Sequence, residues 1–124
     1  MLSKADVVKI RTAVESLYDG KCTITEHQKV RKENGSTGFQ DVVVHEDVPC
    51  RLTYSTIKST NPGDTASTLV QVVKVFLSPD IRVKPGSKMT ITQNDVTTEY
   101  KSSGEPGLYK THQEIILEIF ERWS

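Results

Sequence analysis

The chain has 124 residues, of which 35% are apolar and 26% are charged, and its sixteen Lys and Arg residues balance sixteen Asp and Glu residues. These values fit a single soluble domain, 1–124, with one core. Zero net charge excludes a strong global field for nucleic acid or an anionic membrane, and no apolar run is long enough to span a bilayer. Because the first residues lack the basic-then-apolar build of a secretory signal, we expect a cytoplasmic protein.

A helix is predicted at the start of the chain, over 3–18. Its apolar residues recur at helical spacing, at Val7, Ile10, Val14 and Leu17. Ser3 can cap the first turn, Asp6 follows at capping-box spacing, and Gly20 marks the end. One apolar stripe needs a partner surface, so we expect the helix to lie against a sheet or across the end of a barrel.

From Lys21 onward the apolar pattern has a period of two, which indicates strands. The predicted strands are 21–30, 39–45, 48–54, 69–77, 81–84, 88–92 and 96–101. Polar or glycine-containing loops are predicted at 31–38 and 102–107, and tight turns at Pro85–Gly86 and Asn94–Asp95. The last segment, 108–123, fits a strand or a helix, and we favour a strand through about Phe120 because the preceding hairpins need a closing partner.

The clearest alternation lies at 48–54. It predicts that Cys50, Leu52 and Tyr54 are buried on one face, while Arg51 and Thr53 point outward. Cys22 and Cys50 both fall on apolar sides of strands, so we expect free, buried thiols, which could pair only if the fold brings them together.

These elements predict a mainly β fold: a small antiparallel β-barrel or strongly bent sheet over 21–120, with about six to eight strands and an N-terminal α-helix. Residues 56–68 are the least structured segment, because Ile57 is their only large apolar side chain. A loop of this length in a small domain is uncommon, and we expect it to be flexible.

No catalytic, cofactor or metal motif stands out. The histidines, His27, His45 and His112, are far apart and have no Cys or His at metal-ligand spacing. The adjacent carboxylates at 46–47 would point to opposite faces of a strand and so would not form a catalytic pair. No Ser lies in a nucleophile elbow, and the glycine-containing loops lack the Gly-Lys-Ser/Thr sequence that ends a phosphate-binding loop. We therefore expect neither an enzyme nor a bound cofactor.

A basic cluster suggests a different class of function. It comprises Lys29, Arg31 and Lys32, with Lys84 and Lys88 flanking the Pro-Gly turn. On a small barrel such charges hint at an oligonucleotide-binding module. That function also needs aromatic stacking platforms, whereas aromatics are 6% of the chain and Tyr54 and Phe76 look like core residues.

The chain resembles the head-closure or head–tail connector proteins of tailed bacteriophages, in particular the version carried by PBSX-type prophage elements of Bacillus and related Firmicutes. The resemblance covers nearly the whole chain in order, and its most specific piece runs from Pro79–Asp80–Ile81 to Lys88. The blocks that carry it are Leu17–Ile24, Val48–Tyr54, Val75–Ile81, Val83–Met89, Thr92–Asn94, Tyr100–Pro106 and Tyr109–Glu114.

The resemblance implies a small β-barrel with long loops and a structural role without catalysis. It implies a ring of copies below the portal and its adaptor ring, contacts with tail-completion proteins, DNA only as it passes through the channel, and no membrane. It places the protein in the phage or phage-like particle, assembled in the bacterial cytoplasm. It also gives the loop at 56–68 a task, with Lys58, Asn61, Asp64 and Thr65 as candidate partner contacts. The predicted N-terminal helix is less typical of the simplest members, which leaves head closure and a neighbouring connector or tail-completion role both open.

Two other functions stay open as alternatives. A nucleic-acid-binding barrel would show a basic face with exposed aromatics once the barrel is built. A small hydrolase would need a pocket with a perturbed carboxylate or thiol.

Overall fold

The structure is a computed structural model, and it describes residues 3–59 and 68–123. One helix, α1 (Lys4–Glu15), precedes six strands. The strands are β1 (Gly20–Arg31), β2 (Thr37–Ser59), β3 (Thr68–Leu77), β4 (Lys88–Gln93), β5 (Val96–Leu108) and β6 (Gln113–Ile119). All neighbouring strands are antiparallel, and they close into an irregular barrel in the order β1-β2-β3-β6-β5-β4. The predicted fold class, mainly β with an N-terminal helix, is confirmed.

The core lies inside the ring of strands, where alternate residues point inward. Its fully buried members come from all sides of the barrel, because every strand presents one face to the centre. The buried apolar residues are Cys22, Ile24, Val48, Cys50, Leu52, Val75, Leu77, Val83, Met89, Ile91, Tyr100, Ile115 and Leu117. The end of the chain forms β6, which closes the barrel between β3 and β5, so the strand favoured for this segment is confirmed.

The helix is capped as predicted but is shorter and less buried than predicted. Ser3 Oγ accepts a hydrogen bond from the Asp6 amide at 3.1 Å, and Asp6 Oδ2 accepts one from the Ser3 amide at 3.3 Å. The helix ends at Glu15 rather than at 18, and none of its residues is buried. It is attached to the barrel through Arg11, whose guanidinium donates to Ser78 Oγ at 2.8 Å and Asp80 Oδ2 at 2.9 Å.

The two strands predicted at 39–45 and 48–54 are one strand of 23 residues, β2. Its pairing with β1 shifts register by one residue between Cys22–Val48 and Ile24–His45, where Glu46 and Asp47 lie opposite the single residue Thr23 and form a bulge. Asp47 takes a positive φ of 50°, a conformation that Asp tolerates better than most residues. The bulge changes the direction of the strand, and both acidic residues are exposed to solvent.

Other predictions about local structure were wrong. Residues 81–84 form no strand, and 102–107 belong to β5 rather than to a loop, although a register shift interrupts their pairing with β6. The predicted loop at 56–68 is narrower, because 56–59 continue β2 and Thr68 begins β3. The loop was predicted from its low apolar content, but backbone hydrogen bonds of the β2–β3 ladder keep these polar residues in strands. The remainder of that prediction, 60–67, lies outside the described residues.

Tyr54 and Phe76 are not core residues. Tyr54 shares the inward face with Leu52, but 56% of it is exposed, because it lies at the rim of the barrel: its partner Val73 is the last β3 residue paired with β6, and only β2 and β3 continue beyond it. Phe76 alternates with the buried Val75 and Leu77 and so points out of the barrel, where it lies half-buried near the end of the helix.

Candidate functional site

Two pairs of strands extend from the barrel as two-stranded ribbons. In the first ribbon, 26–31 of β1 pair with 37–42 of β2, while β4 pairs with β1 only from Lys21 to Thr25. In the second ribbon, 55–59 of β2 pair with 68–72 of β3, while the β6 pairing with β3 begins at Val73. Within the described ranges, the outer edges of both ribbons have no strand beside them. Such edges offer backbone N–H and C=O groups to another chain.

The second ribbon carries one of the predicted partner-contact residues. Lys58 lies in β2, opposite Leu69 of β3, near the end of this ribbon. The other predicted contacts, Asn61, Asp64 and Thr65, lie outside the described residues. The structure therefore places one of the four at the end of the projecting ribbon.

A cleft of about 710 Å³ runs along the first ribbon, and we call it the edge cleft. One wall is the strand segment Glu26–Lys29, and the opposite wall is the turn Lys84–Ser87. Phe39 and Trp123 also line it.

Stacked aromatic rings form one side of the edge cleft. The His27 ring lies between Phe39 and Trp123, with ring centroids 4.6 Å and 4.9 Å apart and interplanar angles of 10° and 13°. Trp123 meets Phe120 edge-on at 5.0 Å, and Lys88 Nζ lies 4.9 Å from the Phe120 centroid. This stack attaches the segment after β6 to the first ribbon, and it leaves Phe39 63% exposed.

The charges around the edge cleft are mixed. Glu26 accepts a hydrogen bond from Gln28 Nε2 at 3.0 Å and lies 3.8 Å from Lys84 Nζ. His27 Nδ1 lies 2.9 Å from Asp41 Oδ1. Lys29 lines the cleft, is exposed, and has no ion pair among the residues described. The cleft therefore offers one unneutralised cation beside a polar, locally balanced floor.

A second, smaller cleft of about 370 Å³ lies between the end of the helix and the outer face of the barrel. It is lined by Val14, Leu17 and Tyr18 on one side and by Phe76 and His112 among the barrel residues. The Tyr18 hydroxyl is buried without a hydrogen-bond partner in the structure, and burial raises the pKa of this phenol. Leu17 is 60% exposed, so the predicted apolar stripe of the helix is only partly covered.

The two cysteines are neighbours in the barrel wall. Gly20 pairs with Cys50 and Cys22 pairs with Val48, so the two thiols lie diagonally across adjacent strands. Both are buried and free, as the sequence predicted. The hydrogen bond with Cys50 and burial together raise the pKa of the Cys22 thiol above its ordinary value of 9.0.

Because both thiols are buried and Cys22 is held neutral, we expect neither to react with Ellman's reagent in the native protein at pH 8, and both to react after unfolding. Stoichiometric labelling of the native protein within minutes would contradict this burial.

The three histidines lie in three different local environments. His27 is part of the aromatic stack, whereas His112 stacks on Tyr109 at 4.7 Å and meets Phe76 edge-on at 5.6 Å. His45 pairs with Ile24 beside the bulge of β2. Over 3–59 and 68–123 the structure contains no group of three or more His, Cys, Asp or Glu residues that could hold a metal ion. Nor is any helix there long and apolar enough to cross a bilayer.

Sequence reasoning missed the edge cleft. Two of its lysines were singled out, and the spacing of His27 and Phe39 around the loop at 31–38 could have placed them across a hairpin from each other. Nothing in the local sequence places Trp123 against His27, because that contact depends on where β6 ends in the closed barrel.

The sequence matches no family model and no curated protein. Among solved structures, the chain is similar to the phage-like element PBSX protein xkdH from Bacillus subtilis. That match has 14% sequence identity and a TM-score of 0.48, and it covers 80% of this chain and 91% of the other. At this degree of similarity, the function has to be argued from the chain's own residues and shape.

Proposed function

We propose that this chain is a structural subunit of a phage or prophage head–tail connector and works as one member of a ring. Its partners are copies of itself, the portal or adaptor ring and tail-completion proteins, and it meets DNA only as DNA passes through the channel. The protein acts in the phage or phage-like particle, assembled in the bacterial cytoplasm, and it has no catalytic step. Head closure and a neighbouring connector or tail-completion position are both consistent with this role.

The proposal is supported by the way the resembling sequence blocks are used in the fold. The block Val48–Tyr54 is where β2 leaves its pairing with β1 and joins β3 at the Cys50–Leu77 pair. The Pro-Gly block forms the turn before β4, with Gly86 at a φ of 87° and its amide bonded to the Ser102 carbonyl at 3.0 Å. These blocks fix the barrel itself, so a protein that shares them shares a scaffold.

The single observation that carries the proposal is the pair of ribbons that project from a small closed barrel. A closed barrel has no edges of its own, whereas each ribbon exposes strand edges that no other described segment covers. The second ribbon also contains Lys58, one of the four residues to which the resemblance assigns partner contacts. Projecting elements with open edges suit a subunit that completes its structure against neighbours.

A nucleic-acid-binding barrel is the second candidate, because the edge cleft provides the exposed aromatic rings that this function needs. Phe39 and Trp123 are positioned at its surface beside Lys29 and Lys84. The charges weigh against it: Glu26 lies near Lys84, and Glu99 lies 3.4 Å from Lys88. A groove that tracks a phosphate backbone needs cations that are not already neutralised.

Co-assembly tests the connector role. Portal, adaptor and tail proteins of a PBSX-type element should be expressed with and without the chain, and the particles isolated on a density gradient. We expect the chain to co-sediment with portal-containing particles, and particles made without it to lose DNA and lack tails. Removal of residues 61–66 should leave the thermal melting temperature nearly unchanged while abolishing co-sedimentation. Normal tailed particles in the complete absence of the chain would refute the proposal.

In isolation, we expect the chain to be a monomer or a weak small oligomer. Its exposed apolar residues, such as Val8, Leu108 and Ile119, are scattered over different elements. Joining one neighbour also costs conformational entropy, whereas a preformed ring offers several contacts at high effective concentration. Light scattering coupled to size-exclusion chromatography at micromolar concentration measures this directly. A stable closed ring without partners would contradict the assembly order, and submicromolar DNA binding at physiological salt would favour the second candidate.

A further inference from the structure

The edge cleft lies along the edge of a strand and not on its face. Four consecutive residues, Glu26–Lys29, line it. Consecutive side chains of a strand point to opposite faces, so one surface can be lined by all four only if it borders the strand edge-on. The cleft therefore borders the backbone N–H and C=O groups that β1 directs away from β2.

The space beside that edge is where β4 would continue. The β1–β4 ladder runs from Lys21–Thr92 to Thr25–Lys88 and stops there. Before Lys88 the chain turns away: the Ser87 amide donates to the Lys84 carbonyl at 3.1 Å, and Gly86 is bonded to Ser102 of β5. The turn is thus held by β5, and the next strand position along β1 is vacant among the described residues.

We propose that the edge cleft binds an extended segment of another polypeptide, which adds as a strand beside 26–31 of β1 in the position that β4 vacates. Strand addition takes its affinity from main-chain hydrogen bonds and its specificity from alternate side chains. A six-residue strand, about 20 Å long, matches the free edge from Glu26 to Arg31. This proposal does not depend on the connector role.

The walls of the cleft define the chemistry of the added segment. On one face of the ladder, His27, Lys29 and Phe39 lie together, since His27 pairs with Asp41 and Lys29 pairs with Phe39. The exposed Phe39 ring and the nearby Trp123 suit an apolar side chain, because aromatic anchors carry much of the energy of such contacts. Lys29, which has no ion pair among the described residues, suits a carboxylate on the same side of the added strand.

The opposite face of the β1–β2 ladder suits uncharged polar side chains on the added strand. Glu26 is already bonded to Gln28 and lies near Lys84, so a further charge there would be unbalanced. The ligand class is therefore an extended peptide with apolar and acidic residues alternating on one face and small polar residues on the other. A polynucleotide would bring its phosphates against Glu26 and Asp41 as well as against the lysines, which disfavours it.

A designed peptide tests the site directly. The probe is a capped hexapeptide with Phe, Glu and Val at alternate positions and Thr between them. Trp123, the chain's single tryptophan, lines the cleft and reports binding through its fluorescence. We expect saturable binding with a dissociation constant of about 10–100 µM, and amide chemical-shift changes concentrated at 26–31. No fluorescence or shift change at 1 mM peptide, about tenfold above that range, would overturn the proposal.

The backbone mechanism has its own control. The same peptide with methyl groups on alternate amide nitrogens keeps every side chain but loses the strand donors on one edge. One of the two alternating methylation patterns should bind at least about tenfold more weakly, because two or three hydrogen bonds are lost. If both patterns bind as well as the parent peptide, the segment does not add as a strand and the proposal is wrong.

Protein variants test the side-chain assignment. Phe39→Ala should weaken binding by about tenfold and Lys29→Glu by about threefold or more. Lys29 is exposed, so Lys29→Glu should leave the melting temperature nearly unchanged, whereas Phe39→Ala loses one stacking contact with His27 and should lower it slightly. Lys110→Glu, at an exposed lysine between β5 and β6, is the matched charge control and should bind normally. Equal weakening by Lys29→Glu and Lys110→Glu, or tighter binding of a six-nucleotide single strand than of the peptide, would count against the proposal.

Discussion

Replacing Leu52 with alanine is expected to lower the free energy of unfolding by about 2–5 kcal/mol. Leu52 is 7% exposed and lies on the inner face of β2, where it belongs to the main hydrophobic core. Its pairing with Val75 fixes the register in which β2 joins β3. Removing most of its side chain loses the transfer free energy of those carbons and leaves a cavity that the closed barrel can only partly fill. Urea denaturation monitored by Trp123 fluorescence and circular dichroism measures the change.

Leu108→Ala provides the matched control, since the same atoms are removed from a leucine that is 69% exposed at the end of β5. Its expected cost is within about 0.5 kcal/mol, as for other surface substitutions. Equal costs for the two variants would mean that the inner face of β2 has been assigned to the wrong residues.

The alternation around Leu52 shows how far sequence periodicity reaches. It correctly predicted that Cys50 and Leu52 are inside the barrel, because alternation on a strand depends only on local geometry. It failed at Tyr54, which continues the same alternation. Burial there depends on which other strands lie opposite, and β6 pairs with β3 only from Val73 onward. The end of a barrel wall is a tertiary feature and leaves no mark on the local pattern.

The long strand β2 is a second case in which the local sequence pattern was misleading, because it predicted a break where the strand continues. The polar residues around Glu46–Asp47 look like a turn, and the sequence predicted two strands there. In the structure a bulge absorbs both residues and the strand continues. Whether a polar pair makes a turn or a bulge depends on whether the partner strand continues past it, and β1 does.

The helix was found because its signals are local: a cap, a helical spacing of apolar residues, and a glycine after it. Its placement could not be inferred in the same way. The contacts that attach it join Arg11 to Ser78 and Asp80, 67 and 69 residues further along the chain. The edge cleft could not be inferred from local sequence either, because it combines segments from β1, β2, the turn before β4 and the end of the chain.

The irregular stretch after β3 begins beside one buried side chain, Gln113, which is 1% exposed. Its Nε2 donates to the Ser78 carbonyl at 2.7 Å and also to the Ile81 carbonyl. The amide thus satisfies two backbone acceptors that a strand neighbour would otherwise serve. These bonds hold the chain in an irregular course between Ser78 and Ile81, just before Val83, which lies in the core. A polar residue at the first position of β6 fixes the connection between β3 and β4.

Replacing Gln113 with methionine, which has a similar length, is expected to cost about 2–4 kcal/mol, because the buried amide is lost and two partly buried carbonyls lose their donor. Gln40→Met, at an exposed glutamine of β2, is the matched control and should change the free energy of unfolding by less than about 0.5 kcal/mol. Denaturant melts of the two variants give the comparison. A Gln113→Met cost as small as that of the control would show that the two carbonyls are solvated without Gln113.

Gln113→Glu separates the loss of hydrogen bonds from a simple packing defect through its pH dependence. A carboxylate at this position would face two carbonyl oxygens and be buried, so its pKa in the folded protein should be raised above the ordinary value of about 4.3. A group with a raised folded pKa contributes stability below its unfolded pKa and loses that contribution as the pH rises through the folded pKa.

The deficit in the free energy of unfolding of Gln113→Glu relative to wild type should therefore be smallest near pH 4, where the protonated acid still donates one hydrogen bond, and should grow toward pH 7. Gln113→Met has no titratable group and should show the same deficit at both pH values. A pH-independent deficit in Gln113→Glu would mean that water reaches this side chain, and the buried amide could then not be what holds the connection between β3 and β4.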